Sequence, residues 1–166
     1  MLDDLRALSP VLDRSCPHGA TLDELLVRDS HVHGLGAFAR CGMPPAHCVG
    51  RYEGRRLRPG DALAEPVDAT FTYLFGLSDG SLIDGGDGGN ATRHINHSCT
   101  PNCQACEEAD EDGVLHIVIR TRRRIRAGEE LFIDYRLDVG DADPGDYPCR
   151  CGSPRCRGTL AATGRR

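Results

Sequence analysis

The chain has 166 residues, enough for one domain with a buried core. Its formal charge of −5 argues against nucleic acid as the main partner and favours a basic one. Aromatic residues make up only 5%, whereas Gly and Pro number 20 and 10, which favours short strands and turns over long helices. No apolar run approaches the roughly 20 residues needed to span a bilayer, so no membrane segment is expected.

The first twenty residues resemble a short appendage rather than part of the domain. Leucines recur there at near-helical spacing, but Pro10 and the turn at Cys16–Gly19 predict that any helix ends early. The N-terminus has neither a basic region nor an apolar run, so we expect no secretory signal and a cytoplasmic location.

From Leu22 onwards the pattern is that of strands and turns. The apolar runs Leu25–Val27 and Cys48–Tyr52 predict strands, with a Gly-rich bend at His33–Gly36 between them. Residues 57–68 are charged and contain two prolines, which predicts a loop with one helical turn.

The second half of the chain continues the same pattern. Further strands are predicted at Thr70–Leu77, Ser81–Asp84, Leu115–Ile119 and Leu131–Tyr135. The acidic run 107–112 predicts a solvated hairpin tip. The expected fold class is therefore mainly β, with short strands and little helix.

Cysteines are concentrated near the C-terminus, where Cys149, Cys151 and Cys156 form a C-x-C-x4-C pattern. The surrounding Gly- and Pro-rich segment has too few apolar residues to order itself without an external tie. Clustered cysteines in a cytosolic chain are typical of zinc sites, so we expect reduced thiols and bound zinc. Three thiolates leave a tetrahedral Zn²⁺ one ligand short, and Cys99 is the natural fourth.

A second pair, Cys103 and Cys106, forms a C-x-x-C pattern that could recruit Cys99 instead. We favour the alternative that this pair is buried on a strand as small apolar residues. The scattered Cys16, Cys41 and Cys48 receive no metal role.

Three segments in this order and spacing closely resemble the SET-domain family of protein-lysine methyltransferases with its post-SET zinc segment. They are Arg-His-Ile-Asn-His-Ser-Cys-Thr-Pro-Asn-Cys at 93–103, Gly-Glu-Glu-Leu-Phe-Ile-Asp-Tyr at 128–135 and Cys-Arg-Cys-Gly-Ser-Pro-Arg-Cys-Arg-Gly at 149–158. The resemblance covers about residues 22–160. The family's Cys-rich pre-SET segment is absent from this sequence.

The resemblance implies a particular architecture. Small curved β-sheets would surround a pseudoknot in which the tail threads beneath the 93–103 segment, followed by a post-SET zinc knuckle. The implied organisation is an appendage at 1–20, a SET domain at 21–136 and a post-SET segment with tail at 137–166. In the family, the Cys of the Asn-His-Ser-Cys segment is a zinc ligand, which again indicates Cys99.

The implied activity is S-adenosylmethionine-dependent methylation of a lysine in a protein. A Gly-x-Gly turn shortly after the first strand would hold this cofactor, since glycines let backbone amides and carbonyls approach a ligand. The residues that the resemblance places at the cofactor are Gly34, Leu35, Gly36, Arg93, Asn96, His97 and Leu160. Without the flanking motifs, a tight turn and a structural Asn–His pair would be the simpler interpretation.

Tyr135 corresponds to the family's catalytic tyrosine, and Tyr52 to a second tyrosine at the lysine channel. Taken alone, Tyr135 would be interpreted as a strand-end residue packing on the core. Tyr73 is expected to line the channel, with Phe75 more typical of the core. At Ile133 the family usually has Phe or Tyr, and a branched aliphatic side chain should leave room for more than one methyl group.

Two other interpretations remain open. The chain could be a catalytically silent SET module that binds a basic peptide or partner, or a small zinc-binding interaction protein. The expected partner is a lysine-bearing, basic protein or peptide such as a histone, without direct nucleic-acid binding. All twenty basic side chains are Arg, which favours codon bias in a GC-rich bacterial genome and leaves secretion into a host open.

Overall fold

The computed structural model describes residues 24–59, 61 and 73–162. The predicted N-terminal appendage, Cys16 and the start of the strand predicted at Thr70–Leu77 lie outside the described residues. Within the described part of the chain, no helix is long and apolar enough to cross a membrane.

The regular structure of this part consists of short strands and two single turns of 3₁₀ helix. The strands are β1 (Leu25–Asp29), β2 (Leu35–Ala39), β3 (Cys48–Arg51), β4 (Arg55–Leu57), β5 (Leu74–Gly76), β6 (Leu82–Asp84), β7 (Asn96–His97), β8 (Cys103–Ala109), β9 (Leu115–Thr121) and β10 (Phe132–Ile133). The 3₁₀ turns are Ala91–His94 and Pro144–Asp146. The predicted fold class, mainly β with little helix, is confirmed.

The strands form four small sheets. Strands β3, β9 and β8 make an antiparallel sheet with β9 in the centre, and β4, β6 and β5 make another with β6 in the centre. Strands β1 and β2 pair as an antiparallel hairpin, whereas β7 and β10 pair in parallel. Small separate sheets of this kind are what the SET fold implies.

The core lies where these sheets meet. Its fully buried side chains are Met43, Val49, Ile95, Val118, Ile119, Ile125 and Leu131. The β-branched residues of β9 suit a strand that is covered by neighbours, and each fully buried Ile stabilises the fold by roughly 1.5–3 kcal/mol.

The segment 129–133 is hydrogen-bonded to two other parts of the chain. The Leu131 amide donates to the carbonyl of Ala37 in β2 at 2.8 Å, and the Ser98 amide donates to the carbonyl of Ile133 at 3.0 Å. The buried Asn102 side chain accepts from the Phe132 amide at 2.8 Å. The tail therefore crosses the 96–102 segment in close contact with it, as the SET fold implies.

Most predicted strands are confirmed, but β2, β4 and β7 are not among them, and the acidic run differs in part. Strand β4 is not predicted because two of its three residues are Arg, which is typical of a loop. The acidic run at 107–112 is predicted as a hairpin tip, but its first three residues belong to β8. Glu108 pairs there with Arg120 on β9 at 2.8 Å, so the ion pair offsets the low β-propensity of Glu.

The cysteines differ in one respect from the expectation of reduced thiols. Cys48 in β3 is disulfide-bonded, so that expectation is wrong for this residue. The seven other cysteines of the described residues are free. Cys103 is fully buried in β8, where burial raises the pKa of its thiol to about 12. This burial supports the apolar interpretation of Cys103 over a metal-binding one.

Candidate active site and metal centre

The turn between β1 and β2 carries the Gly-x-Gly pattern. Gly34 has a φ of +44°, a conformation that side chains rarely adopt, and its carbonyl accepts from the Ser30 amide at 2.8 Å. At Gly36 an added Cβ would lie 2.3 Å from the Glu130 carboxylate. Leu35, between them, is largely exposed. A side chain at Gly36 would therefore displace the Glu130 carboxylate, and a side chain at Gly34 would strain its backbone conformation.

Asn96 ties this turn to the 93–103 segment. Its side-chain amide donates to the carbonyls of His33 and Leu35 at 3.3 and 3.1 Å, and to Glu130 Oε1 at 3.0 Å. The same carboxylate oxygen accepts from Ser30 Oγ at 2.7 Å. One side chain, Glu130, thus fixes both ends of the Gly-x-Gly turn relative to Asn96.

Arg93 lies in the 3₁₀ turn that precedes β7. The Asn90 side chain caps that turn by accepting from the Thr92 amide at 3.0 Å. The Arg93 guanidinium donates to the Gly85 carbonyl at 3.2 Å and lies 5.7 Å from the Tyr73 ring centroid. The Arg93 guanidinium therefore lies beside the expected lysine channel.

Both candidate catalytic tyrosines donate their phenolic proton to a backbone carbonyl. Tyr135 Oη donates to the Ile95 carbonyl at 3.0 Å, and Tyr52 Oη to the Tyr73 carbonyl at 2.7 Å. Burial is the main cause that raises the pKa of Tyr135 to about 12 and the pKa of Tyr52 still further. Both phenols are therefore neutral at physiological pH, and their oxygen lone pairs remain free to accept.

The other channel candidates surround these phenols. The Tyr52 ring centroid lies 4.9 Å from that of Phe75, and Gly85 is so close that a Cβ there would lie 2.5 Å from Tyr52 Oη. Ile133 is 3% exposed and belongs to the same apolar cluster as Tyr52, against which Tyr135 packs. Tyr73 acts on the pKa of both Tyr52 and Tyr135, which places its phenol near theirs.

The C-terminal segment brings its cysteines to Cys99. Cys99 Sγ lies 3.7 Å from Cys149 Sγ, and the Cys99 amide donates to Cys151 Sγ at 3.5 Å. Ligand atoms of His97, Cys99, Cys149 and Cys151 all lie within 4.8 Å of one another. Cys156 is more exposed, and its thiol adjoins those of Cys149 and Cys151. This Cys/His cluster has the donor set that a Zn²⁺ ion prefers.

The protonation of His97 bears on its place in this cluster. The Tyr135 amide donates to His97 Nδ1 at 3.2 Å, which puts the proton of the neutral imidazole on Nε2. Nε2 in turn lies 3.3 Å from Cys99 Sγ. Burial lowers the pKa of His97 and keeps the ring neutral. In this tautomer His97 donates to the Cys99 sulfur and has no free lone pair for a metal.

An ion pair fixes the post-SET-like segment to the rest of the domain. The Arg157 guanidinium donates to both oxygens of Asp134 at 2.9 and 2.6 Å, and the Arg157 amide donates to Cys99 Sγ at 3.4 Å. Half-buried Leu160 accepts through its carbonyl from the Leu137 amide at 3.1 Å. Leu160 is therefore held beside the chain that follows Tyr135.

Sequence reasoning misses three of these residues as parts of the site. Glu129, Glu130 and Asp134 suggest a charged turn in the sequence, yet each has a different partner in the structure. Glu129 pairs with Arg123, Glu130 holds the Gly-x-Gly turn, and Asp134 pairs with Arg157. In the sequence, the only sign that Glu130 and Asp134 belong to the site is their position within the 128–135 motif.

The chain is similar to known proteins over most of its length. The SET domain family matches residues 34–136. Human histone-lysine N-methyltransferase 2B is 37% identical over 134 residues, covering 77% of this chain and 5% of its own. The histone-lysine N-methyltransferase trithorax of Drosophila virilis is 37% identical over 134 residues, covering 77% of this chain and 3% of its own.

A fungal relative extends the comparison. The H3 lysine-4 specific histone-lysine N-methyltransferase of Mycosarcoma maydis is 35% identical over 141 residues, covering 81% of this chain and 9% of its own. The chain thus spans less than a tenth of the length of these three curated relatives.

Proposed function

Because the chain belongs to the SET-domain family, we propose that it is an S-adenosylmethionine-dependent protein-lysine N-methyltransferase acting on a histone or other basic protein. One observation carries the proposal: the five residues 95–99 connect all the parts that this reaction needs. Ile95 holds the Tyr135 phenol, Asn96 holds the Gly-x-Gly turn, and Cys99 joins the thiol cluster. A binding module has no need of this convergence.

The methyl donor would be held by the turn, its Asn96 anchor and the C-terminal segment. The residues proposed to contact it are Gly34, Leu35, Gly36, Arg93, Asn96, His97 and Leu160. When bound, S-adenosylmethionine would supply a methyl group on a sulfonium sulfur, and an amine can attack that methyl carbon in line as the thioether leaves. The chain's own residues then have to align the amine and exclude water.

The two phenols are suited to that alignment. Because Tyr135 and Tyr52 give their protons to backbone carbonyls, each oxygen can only accept towards the site. Such acceptors can hold an amine N–H and orient its lone pair. Neither phenol is a base at neutral pH, because burial raises the pKa of both.

The acceptor lysine must lose its proton before the transfer, although its ordinary pKa is about 10.4. An apolar channel of Tyr52, Tyr73, Phe75 and Ile133 disfavours the ammonium form and so lowers that pKa. The channel thus shifts the amine towards its nucleophilic form without a dedicated base. The rings also suit a methylated, cationic product.

We propose zinc as the ion of the Cys/His cluster, with Cys99, Cys149, Cys151 and Cys156 as its ligands. Burial alone would raise the pKa of the Cys151 thiol, but the Cys99 and Ser153 amides and the neighbouring thiols lower it to about 6. Amide donors therefore favour a thiolate at this position, as a metal site requires. Burial is the largest cause that raises the pKa of the Cys99 and Cys149 thiols. The ion would be structural, tying the C-terminal segment to Cys99.

Transfer of labelled methyl from S-adenosylmethionine to a panel of histones and total cell protein tests this function. We expect label on lysine with the intact chain and none with the Tyr135→Phe variant. A chain that binds the cofactor by calorimetry but labels no protein would lack its acceptor. A chain that binds no cofactor would instead favour the silent SET module.

Ile133 is proposed to set how many methyl groups are added. Because an aliphatic side chain cannot hold water through a hydroxyl, we expect di- or trimethyl-lysine from the natural chain. Ile133→Tyr should shift the product to monomethyl-lysine, measured by mass spectrometry of the substrate. Ile133→Leu is the control, since it keeps volume and polarity. The position is 3% exposed, so the Tyr variant should also lose about 1–3 kcal/mol of stability from overpacking. Monomethyl product from both proteins would contradict the assignment.

Glu130 is predicted to position the cofactor turn rather than to react. Glu130→Ala removes the acceptor of Ser30 and Asn96, so the Kd for S-adenosylmethionine should rise by about tenfold or more. Glu130→Gln keeps an acceptor oxygen and should restore most of the affinity. Glu129→Ala, which removes the Arg123 pair instead, is the matched control. A lower melting temperature with an unchanged Kd would mean that Glu130 only stabilises the fold.

A further inference from the structure

We propose that an arginine-lined cleft beside the thiol cluster binds the phosphate backbone of double-stranded nucleic acid. This basic cleft, of about 440 Å³, is lined by Cys99, Thr100, Pro101, Arg122, Arg123 and Arg155. It lies apart from the Gly-x-Gly turn and the tyrosines, so the proposed methyl transfer does not use it.

The overall charge of −5 conceals an uneven distribution along the β8–β9 hairpin. The far half of the hairpin carries Glu107, Glu108, Asp110, Glu111 and Asp112, and its base leads into Arg122, Arg123, Arg124 and Arg126. Seven paired positions at a rise of about 3.3 Å separate the two ends by roughly 20 Å. That separation exceeds the Debye length at physiological salt, so each end presents its own charge to a partner.

Some arginines outside the basic cleft pair with carboxylates, as Arg120 does with Glu108 and Arg157 with Asp134. In the cleft, only Arg123 is paired, with Glu129 at 2.6 Å. Arg122 and Arg155 are exposed, and neither has a carboxylate partner among the described residues. Two guanidinium groups therefore remain available for an external anion.

These two arginines come from segments that the fold holds together. Arg122 follows β9, and its amide donates to the Asn102 carbonyl at 2.8 Å. Arg155 belongs to the cysteine-rich segment, which is joined to the other wall by the bond from Thr100 Oγ1 to Ser153 Oγ at 3.0 Å. The backbone positions of the two arginines are thus set by tertiary structure before any ligand binds, so only their side chains have to be ordered on binding.

The lining of the cleft favours phosphate over an acidic peptide. Guanidinium groups match the geometry of phosphate oxygens in pairs. Pro101 is the one large apolar side chain in the lining, so a peptide would find little surface to bury. No aromatic ring is among these lining residues for base stacking, which favours a duplex backbone over a single strand. The net charge of the whole chain predicts against nucleic-acid binding, whereas the lining of the cleft contains three arginines and no carboxylate.

The binding proposal stands apart from the proposed function. One consequence of DNA binding rests on the proposed methyl transfer: a basic protein substrate bound to nucleic acid would be brought to the enzyme by that nucleic acid. Failure of DNA binding would leave activity on a free peptide intact, and failure of activity would leave DNA binding intact.

The test is the affinity of the zinc-loaded full chain for a short fluorescent DNA duplex, measured by anisotropy over a salt series from about 50 to 200 mM. We expect Arg122→Glu and Arg155→Glu each to weaken binding by at least about tenfold. The double variant should reduce the slope of log K against log salt by about 2, since each lost phosphate contact removes about 0.9. Zinc content shows whether the Arg155 variant retains its cysteine-rich segment.

Arg58→Glu is the matched control, with the same change of charge on an exposed residue. Its neighbour Pro59 lies next to the turn that contains Gly80, since a Cβ added at Gly80 would be 3.5 Å from Pro59. Ser78, in the same turn, is hydrogen-bonded to Glu107 on the acidic half of the hairpin. An Arg58 variant that binds DNA like the natural chain, beside weakened cleft variants, supports the proposal. Equal losses at Arg58 and in the cleft, no DNA binding by the natural chain, or tighter cleft-dependent binding of a polyglutamate peptide would overturn it.

Discussion

Replacing Tyr135 by Phe should lower kcat by about 100-fold or more while changing the Kd for S-adenosylmethionine only a few-fold. The variant removes the oxygen that accepts towards the site and keeps the ring that packs on the apolar cluster. It also leaves the Ile95 carbonyl without its phenol donor, which should cost about 1–3 kcal/mol of stability. Single-turnover rates and calorimetry measure the two effects separately.

Tyr52→Phe is the matched comparison, because it removes the same group from the other side of the cluster. Because Tyr52 corresponds to the second tyrosine of the channel rather than to the catalytic one, we expect a smaller loss of rate than at Tyr135. A Tyr135→Phe enzyme within about threefold of the natural rate would exclude the proposed role, since a lost acid–base or hydrogen-bonding group typically costs far more.

The pH dependence of the natural enzyme adds a second check on the phenols. The pKa of Tyr135 is raised to about 12, so its neutral form persists through the range in which free tyrosine ionises, near about pH 10. The rate should therefore rise with pH as the substrate amine loses its proton, with no fall in that range from loss of the phenolic proton. The free energy of unfolding changes in the opposite direction to the rate. The unfolded chain releases this proton first, so the folded state loses stability above about pH 10.

The parts of the site that sequence can predict are those with residue types that permit few roles. A C-x-C-x4-C pattern leaves a tetrahedral zinc one ligand short, and the resemblance implies Cys99 of the Asn-His-Ser-Cys segment as the fourth. A side chain at Gly36 would likewise have to displace the Glu130 carboxylate, 2.3 Å from an added Cβ. Such constraints are visible in the sequence because few residue types satisfy them.

Other features leave no such signal. Asp134 and Arg157 are ordinary surface residues by type, and only the chain crossing brings them within 2.6 Å. Strand β8 contains two adjacent glutamates, which hide it in the sequence, and only the structure shows that Glu108 pairs with Arg120 on β9. The same holds for His97, whose type allows cofactor contact or metal binding and whose hydrogen bonds decide its tautomer.

The identity of the fourth zinc ligand is the point on which sequence and geometry give different candidates. The cysteine spacing predicts Cys156, whereas the tightest group of ligand atoms contains His97. A tetrahedral site has room for one of them beside Cys99, Cys149 and Cys151. Because Tyr135 donates to His97 Nδ1, the Nε2 proton faces Cys99 and favours Cys156 as the ligand.

We therefore expect one zinc per natural chain by elemental analysis after dialysis, and a loss of zinc in the Ala variants of Cys99, Cys149, Cys151 and Cys156. His97→Gln should weaken zinc binding by roughly 10–100-fold, as losing a donor to a ligand does, yet keep one zinc at micromolar metal. Cys41→Ala and Cys106→Ala are controls with full zinc.

Stripping zinc should also raise the Kd for S-adenosylmethionine by more than about tenfold, because Leu160 and Arg157 lose their tie to Cys99. Full zinc in Cys156→Ala beside its loss in His97→Gln would make the imidazole the fourth ligand, with the proton on Nδ1 and the Tyr135 amide displaced.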